Sequence, residues 1–277
     1  MRFDGRTVIV TGAGSGFGEA IATRFAREGA QVVVADVNEE SGRRVASAIA
    51  AEGGTARFVR TDVSRSAEVK AMIDLALSAF GGLDVLVNNA GLIVPRYERS
   101  ADGYELTIAV NHLAPFLLTN LLLDRLRASA PSRIVTVASQ VHRGARVDPA
   151  ALSSGRDWTP LKAYGRSKLC NILFTRALAR RLDGSGVVAT CLHPGVIATA
   201  IGDRAGLAGI GWRLIKPFLA TPEQGAATTL FLATVPNPAP FHGAYVIGRR
   251  IAEPDSAGRD DRLAEDLWTE SARLVGL

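Results

Sequence analysis
Tyr164 and Lys168 stand four residues apart, a spacing that places both side chains on one face of a helix. With four tyrosines and four lysines in 277 residues, random placement gives roughly 0.06 such pairs, so the spacing carries information. A free phenol has a pKa near 10 and is no base at neutral pH. An ammonium ~4 Å away contributes about 4 kcal/mol at an effective dielectric of ~20, before desolvation is subtracted. That is enough to lower a phenol pKa by up to ~3. The pair therefore reads as a proton-exchanging tyrosine tuned by a lysine. The competing reading, a solvated helix pair, lacks an acidic partner at this spacing. Ser139, just past an apolar strand, is placed to hold a substrate oxygen; alone, such a serine is more often a turn residue. Asn111 interrupts a long helical pattern, where asparagine is a poor helix former, as a buried hydrogen-bond bridge or a kink.

A second constellation lies near the start. Thr11-Gly12-Ala13-Gly14-Ser15-Gly16-Phe17-Gly18 sits between a strand-like run and a helical pattern. Glycines there let the backbone turn tightly and approach a pyrophosphate, whose charge the helix N-terminus favours. The spacing is Gly-x-x-x-Gly-x-Gly, so the Gly-x-Gly-x-x-Gly fingerprint is not met literally. Asp36 ends the next strand, 20 residues after Gly16. An acid there accepts hydrogen bonds from adenosine ribose hydroxyls and repels a 2′-phosphate. Asn38 is better placed than Asp36 to cap the following helix. Positions 15 and 37, where a phosphate-binding arginine would stand, hold Ser15 and Val37, which favours NAD over NADP. Asp62, after the third strand, is placed to meet the adenine amino group.

The elements that must position these residues alternate. Strands are expected at Thr7–Val10, Gln31–Ala35, Ala56–Arg60, Leu83–Val87, Arg133–Val137, Gly186–Leu192 and Ala244–Ile247, with helical patterns between them. Phe17, Ile21 and Phe25 mark one helical face; Val69, Met72, Ile73, Ala76, Leu77 and Phe80 mark another. A further helix is expected from about Tyr164 to Leu182. Strands this apolar imply a parallel sheet covered on both faces, doubly wound within one domain spanning 1–277. Two segments break the alternation. His142–Ala163 reads as a loop. Thr199–Thr221, glycine-punctuated yet apolar, reads equally as a substrate flap or a helix pair packed on the core.

Composition excludes several classes. Hydrophobic residues make up 47% and charged residues 21%, which suits a globular protein rather than a disordered chain. The net charge of +5 rests on 28 scattered arginines, without the clustering or aromatic interleaving of a nucleic-acid-binding surface. Cys170 and Cys191 have no partners at metal-ligand spacing, so no metal site is expected and a reducing cytoplasm is. His112 and His193 read as structural, and His142 and His242 as isolated. No signal peptide is evident, and the apolar run Leu113–Leu123 is too short to span a bilayer.

Taken together, these motifs resemble the short-chain dehydrogenases/reductases along nearly the whole chain. The match runs through Thr11–Gly18, Asp62-Val63, Asn88-Asn89-Ala90-Gly91, Asn111-His112, Ser139, Tyr164–Lys168 and Pro194–Thr199. The runs Asn111–Leu123, Lys168–Arg181 and Thr221–Ala226 are most similar to its retinol-dehydrogenase-like branch. The resemblance implies a Rossmann fold with a seven-stranded parallel sheet flanked by helices, and a tetrad of Asn111, Ser139, Tyr164 and Lys168. In it, Tyr164 exchanges a proton with the substrate oxygen, which Ser139 positions. Lys168 lowers the tyrosine pKa and binds the nicotinamide ribose, while Asn111 holds a water linking Lys168 to solvent. Gly12, Ser15, Gly16, Phe17, Gly18, Asp36, Asp62, Val63, Asn89, Ala90, Gly91, Pro194, Gly195, Ile197 and Thr199 would contact the cofactor, with Ile197 and Thr199 at its carboxamide. An NAD-dependent alcohol/carbonyl oxidoreductase follows, with Leu92-Ile93-Val94 and the flap pointing to a lipophilic substrate. A homodimer or homotetramer is implied as well. The alternatives are an NADPH-dependent carbonyl reductase of a biosynthetic pathway and a non-catalytic nucleotide-sensing protein of the same fold.

Overall fold
The computed structural model of the chain describes residues 2–195 and 221–277. The expected flap, apart from Thr221, lies outside the described residues, as do Ile197 and Thr199.

The strands are β1 (Thr7–Thr11), β2 (Gln31–Asp36), β3 (Thr55–Arg60), β4 (Val85–Asn88), β5 (Ser132–Val137), β6 (Val187–His193), β7 (Tyr245–Ile247) and β8 (Arg250–Ala252). They form one sheet of eight strands, in the order β3-β2-β1-β4-β5-β6-β7-β8. The first seven are parallel; β8 pairs antiparallel with β7, Ile247 opposite Arg250. This corrects the expected seven strands. Gly248 and Arg249, both at positive φ, make the two-residue turn that such a hairpin needs. The turn is hard to read in advance, because only one of its two residues is a glycine.

Side chains alternate across the sheet as period-two strands require. Val8, Val10, Val32 and Val34 face one layer with Phe17, Ile21 and Phe25. Ile9, Val33, Leu86 and Ile134 face the other, with Met72, Phe116 and Phe174. The helices are α1 (Gly16–Arg27), α2 (Glu39–Ala51), α3 (Ser66–Phe80), α4 (Leu106–Ala128), α5 (Pro160–Leu182), α6 (Pro222–Thr234) and α7 (Asp261–Val275). Asn38 caps α2 by accepting a hydrogen bond from the Ser41 N–H. Helix α4 exceeds the apolar run seen in the sequence: its 23 residues are long and apolar enough to cross a membrane, yet 67% of its apolar window is buried in the fold. Thr119, which interrupts that run, accepts a hydrogen bond from Asn88 Nδ2 at 2.9 Å. In this molecule α4 is a core helix.

Helix α7 lies along α5. Trp268 stacks on Phe174 at 5.9 Å and meets Phe116 edge-on at 4.8 Å, while the Arg181 guanidinium covers its other face at 4.1 Å. Arg176, Arg180 and Arg181 of α5 pair with Asp261 and Glu265 of α7. Hydrogen bonding to Arg181, then to Arg180, holds the Glu265 carboxyl down to about 2. A depressed carboxylate stabilises the fold above its ordinary pKa, and that contribution is lost as pH falls toward the folded value. Glu265→Gln should therefore lower Tm at neutral pH, and the gap from the parent protein should narrow steadily below about pH 4.5; thermal melts across pH check this.

Candidate active site
After β3 the chain crosses back over β2 and β1 to β4, which pairs with β1 at the point where the strand order reverses. Ligands of open α/β sheets bind in the crevice that this reversal leaves at the carboxyl ends of the strands. The glycine loop occupies that crevice. Gly12 and Gly16 take positive φ, and α1 begins at Gly16 with an extended Ser15 whose side chain makes no capping bond. The first N–H groups of α1 are thus left unclaimed by a side-chain cap, as a pyrophosphate site requires. A Cβ at Gly18 would lie 2.0 Å from the Gly12 carbonyl oxygen, so the first turn of α1 meets the loop with no space for a side chain. Phe17 packs into the core, and only its backbone faces the loop's chemistry.

Neighbouring residues fix the loop. The Asp36 carboxylate accepts hydrogen bonds from the Gly14 N–H at 2.8 Å and the Asn38 N–H at 2.9 Å. Thr11 Oγ1 accepts from the backbone N–H groups of Asn89 and Ala90, both at 3.0 Å. Asn89 Nδ2 donates in return to the carbonyls of Thr11 and Gly12. Asp62 accepts from the Ser64 N–H and hydroxyl, and Val63 beside it is buried. Pro194 and Gly195 follow β6 at the same edge, Gly195 at positive φ. Thr11 was expected only as the start of the glycine motif, and Arg44 was not expected at the loop. Arg44 pairs with Glu19 at 2.7 Å and donates to the Gly14 carbonyl at 3.2 Å.

The second constellation converges across α4, α5 and the ends of β4 and β5. Helix α5 starts at Pro160, four residues earlier than expected, capped by Thr159. Tyr164 is half-buried and Lys168 buried. Lys168 Nζ donates to the Val137 carbonyl at 2.9 Å and lies 5.4 Å from the Tyr164 ring centroid. A Cβ at Gly91 would lie 3.4 Å from Asn111 Oδ1 and 3.5 Å from Lys168 Nζ, so the chain after β4 passes close to both. Burial brings Lys168 down to about 8. It also pushes Tyr164 up to about 12, against the lowering effect of a hydrogen bond with Ser139. The expected lowering of the phenol by the lysine is not found here: desolvation of the phenolate dominates the shift, and the lysine does not enter it.

Asn111 is both a bridge and an irregularity. It lies in a π-helical turn, Ala109–Leu113, within α4. Its side chain accepts from the Leu92 N–H at 2.8 Å and donates to the Leu92 carbonyl at 2.9 Å and to Ser167 Oγ at 3.0 Å. Both amide hydrogens are spent. The residue four positions on is Pro115, which has no N–H to offer the Asn111 carbonyl. Ser139 Oγ accepts from the Val141 N–H at 3.3 Å, and its hydroxyl hydrogen remains to donate toward Tyr164 or an oxygen beside it. His142, read as isolated, is not: its Nδ1 donates to the Ser139 carbonyl at 2.6 Å, and the Asp255 N–H donates to its Nε2 at 3.4 Å. Ile93 and Val94, expected to line the pocket, are buried; the exposed apolar side chains beside the tetrad are Val141 and Leu161, at 44% and 63% exposure.

Comparison with known proteins agrees with this geometry. The short chain dehydrogenase family matches residues 6–207. The chain belongs to the short-chain dehydrogenases. Within that family it is 37% identical to mouse (Mus musculus) retinol dehydrogenase 12 over 279 residues, covering 100% of this chain and 88% of that one. It is 40% identical to dehydrogenase/reductase SDR family member 13 of Bos taurus, covering 99% and 74%. Among solved structures, an uncharacterized protein from Mycobacterium paratuberculosis superposes with a TM-score of 0.80 at 33% identity, covering 99% and 94%. A Caenorhabditis elegans short-chain dehydrogenase/reductase solved with cofactor gives 0.75 at 27% identity, covering 89% and 94%. The chain is thus an oxidoreductase similar to retinol dehydrogenases, and membership of the family implies a nicotinamide dinucleotide cofactor, which the glycine cradle fits.

The cradle yields a test. Gly18→Ala should destabilise the protein by about 1–3 kcal/mol through overpacking and weaken dinucleotide binding. Gly82→Ala, whose Cβ would meet only Ser129 Oγ at 3.5 Å, should do neither. Denaturant unfolding and NADH fluorescence titration of both variants measure the contrast.

Proposed function
We propose that this short-chain dehydrogenase interconverts an alcohol and its aldehyde or ketone on a lipophilic small molecule, with NAD as coenzyme and Tyr164 as the acid/base. The observation that carries the reading is the convergence of Tyr164, Ser139 and the Lys168 ammonium beside Gly91 and the glycine loop. A non-catalytic nucleotide sensor would need none of these side chains there.

The bound dinucleotide supplies or accepts the hydride. The chain's own residues handle the proton and the orientation. Ser139, its oxygen occupied by the Val141 N–H, turns its hydrogen toward the substrate oxygen. Tyr164, protonated at neutral pH, donates to that oxygen in reduction and must lose its proton before it accepts one in oxidation. Lys168 uses one N–H on Val137 and keeps the others for the nicotinamide ribose. Gly12, Ser15, Gly16 and Gly18 would hold the pyrophosphate; Asp36, Asp62 and Val63 the adenosine; Asn89, Ala90 and Gly91 the side facing β4; Pro194 and Gly195 the nicotinamide end.

Asp36 supports NAD, since its carboxylate would repel a 2′-phosphate. Arg44 favours the second reading, an NADPH-dependent reductase, because it places a cation beside Gly14; Glu19 neutralises that cation here. Val141 and Leu161, together with the names of the relatives, support a lipophilic substrate. The buried, unbridged Cys170 and Cys191 support a reducing, cytoplasmic setting.

Turnover should be followed by NADH and NADPH absorbance on a panel of apolar alcohols, aldehydes and ketones, retinol and retinal included. Tyr164→Phe should cut turnover by about 10²-fold or more while NADH still binds; retained turnover removes Tyr164 from the mechanism. Oxidation should accelerate as pH rises toward the tyrosine pKa, and reduction should slow. If kcat/KM with NADPH equals or exceeds that with NADH, the assignment of Asp36 fails.

A further inference from the structure
Lys168 does not hold its place through its own contact alone. The Val137 carbonyl that accepts from Lys168 Nζ also accepts from Asn171 Nδ2 at 3.3 Å. Asn171 lies one turn along α5 from Lys168 and is 2% exposed. Its Oδ1 and His112 Nδ1 are both buried atoms without a hydrogen-bond partner among the described residues. Burial brings the His112 pKa to about 4, and the nearby Asn171 side chain is the influence that raises it. On its far side, His112 Nε2 lies 2.8 Å from the Ser271 hydroxyl of α7. His112 and Ser271 are both fully buried.

The donors and acceptors admit one consistent direction. Val137 offers a carbonyl, so Asn171 must present its NH₂ there and its oxygen to the histidine. His112 must then carry its proton on Nδ1, leaving Nε2 to accept from the Ser271 O–H. A histidine that burial keeps neutral is what this arrangement needs. Its members come from β5, α5, α4 and α7, so the network runs from the last turns of the C-terminal helix to the head of the lysine.

We propose that Asn171 and His112 are positioning residues for the reaction, fixing the Val137 carbonyl so that it holds the Lys168 ammonium facing the Tyr164 ring. The proposal rests on the reading of Lys168 as the tyrosine's partner and adds residues that touch neither substrate nor cofactor.

The test uses the scarcity of lysine. Selective labelling with [¹³Cε]lysine gives signals for Lys70, Lys162, Lys168 and Lys216 alone, and Lys168→Met assigns the one of interest. In Asn171→Ala the Lys168 titration midpoint should fall by about 0.5 in pH or more, because the ammonium loses a fixed acceptor. In the same variant turnover should drop about ten-fold or more. Ser271→Ala, a small change at the far end, should move the midpoint the same way by less, and it carries the test if Asn171→Ala does not fold. A midpoint unchanged or raised in the variants that fold overturns the proposal, whatever happens to Tm. Loss of the functional reading looks different: Lys168→Met would then keep its turnover while the midpoint in Asn171→Ala still moved.

Discussion

A buried ammonium is the most demanding group in this molecule. Moving a charge out of water costs several kcal/mol unless hydrogen bonds and a shifted pKa compensate. Lys168, 3% exposed, is accommodated by a strand-end carbonyl on one side and an aromatic face on the other, and its pKa falls toward neutrality. That carbonyl is available because Val137 is the last residue of β5, where the ladder opens into the cleft. The end of β5, the closeness of Gly91 and the π-helical turn at Asn111 all converge on this one group. Arginine, larger and far harder to deprotonate, would not fit the same space.

The two constellations are joined by backbone. Thr11 ties the end of β1 to the N–H groups after β4, and Asn111 clamps the chain two residues further on. A displacement of the glycine loop is thereby felt within a few residues at the lysine. On the opposite side of the tetrad, His142 grips the Ser139 carbonyl and is itself held by the segment after β8. The tetrad is braced from several directions, which suits a reaction that depends on sub-ångström placement.

What could be read from the sequence shares a property: it is local. Tyr164 and Lys168 reveal themselves by a four-residue spacing, the glycine loop by its place between strand and helix, and the central strands by their apolar runs. The roles that escaped notice are those of Thr11 and Asn171, which bind backbone groups that the sheet brings to them from distant parts of the chain. A carbonyl in the right place leaves no letter in the sequence. The antiparallel β8 was missed for a related reason, since three residues after a Gly-Arg turn carry too little pattern. The sign of the Tyr164 shift also depended on burial, which spacing does not report. Asn111 was legible as an anomaly, and the structure shows the hydrogen-bond bridge, set in a π-helical turn.

Both margins of the sheet carry arginine. On one side β3 presents exposed Arg57 and Arg60; on the other, β8 begins with exposed Arg250 beside Ile251. An uncovered strand edge offers unpaired N–H and C=O groups to any neighbouring chain, and bulky like charges along it discourage such pairing. Where two such edges met, Arg57 and Arg250 would bring guanidinium against guanidinium, Arg60 being paired with Glu68. Part of the arginine excess thus acts as a guard on colloidal stability, keeping an eight-stranded sheet from becoming the template for a larger one.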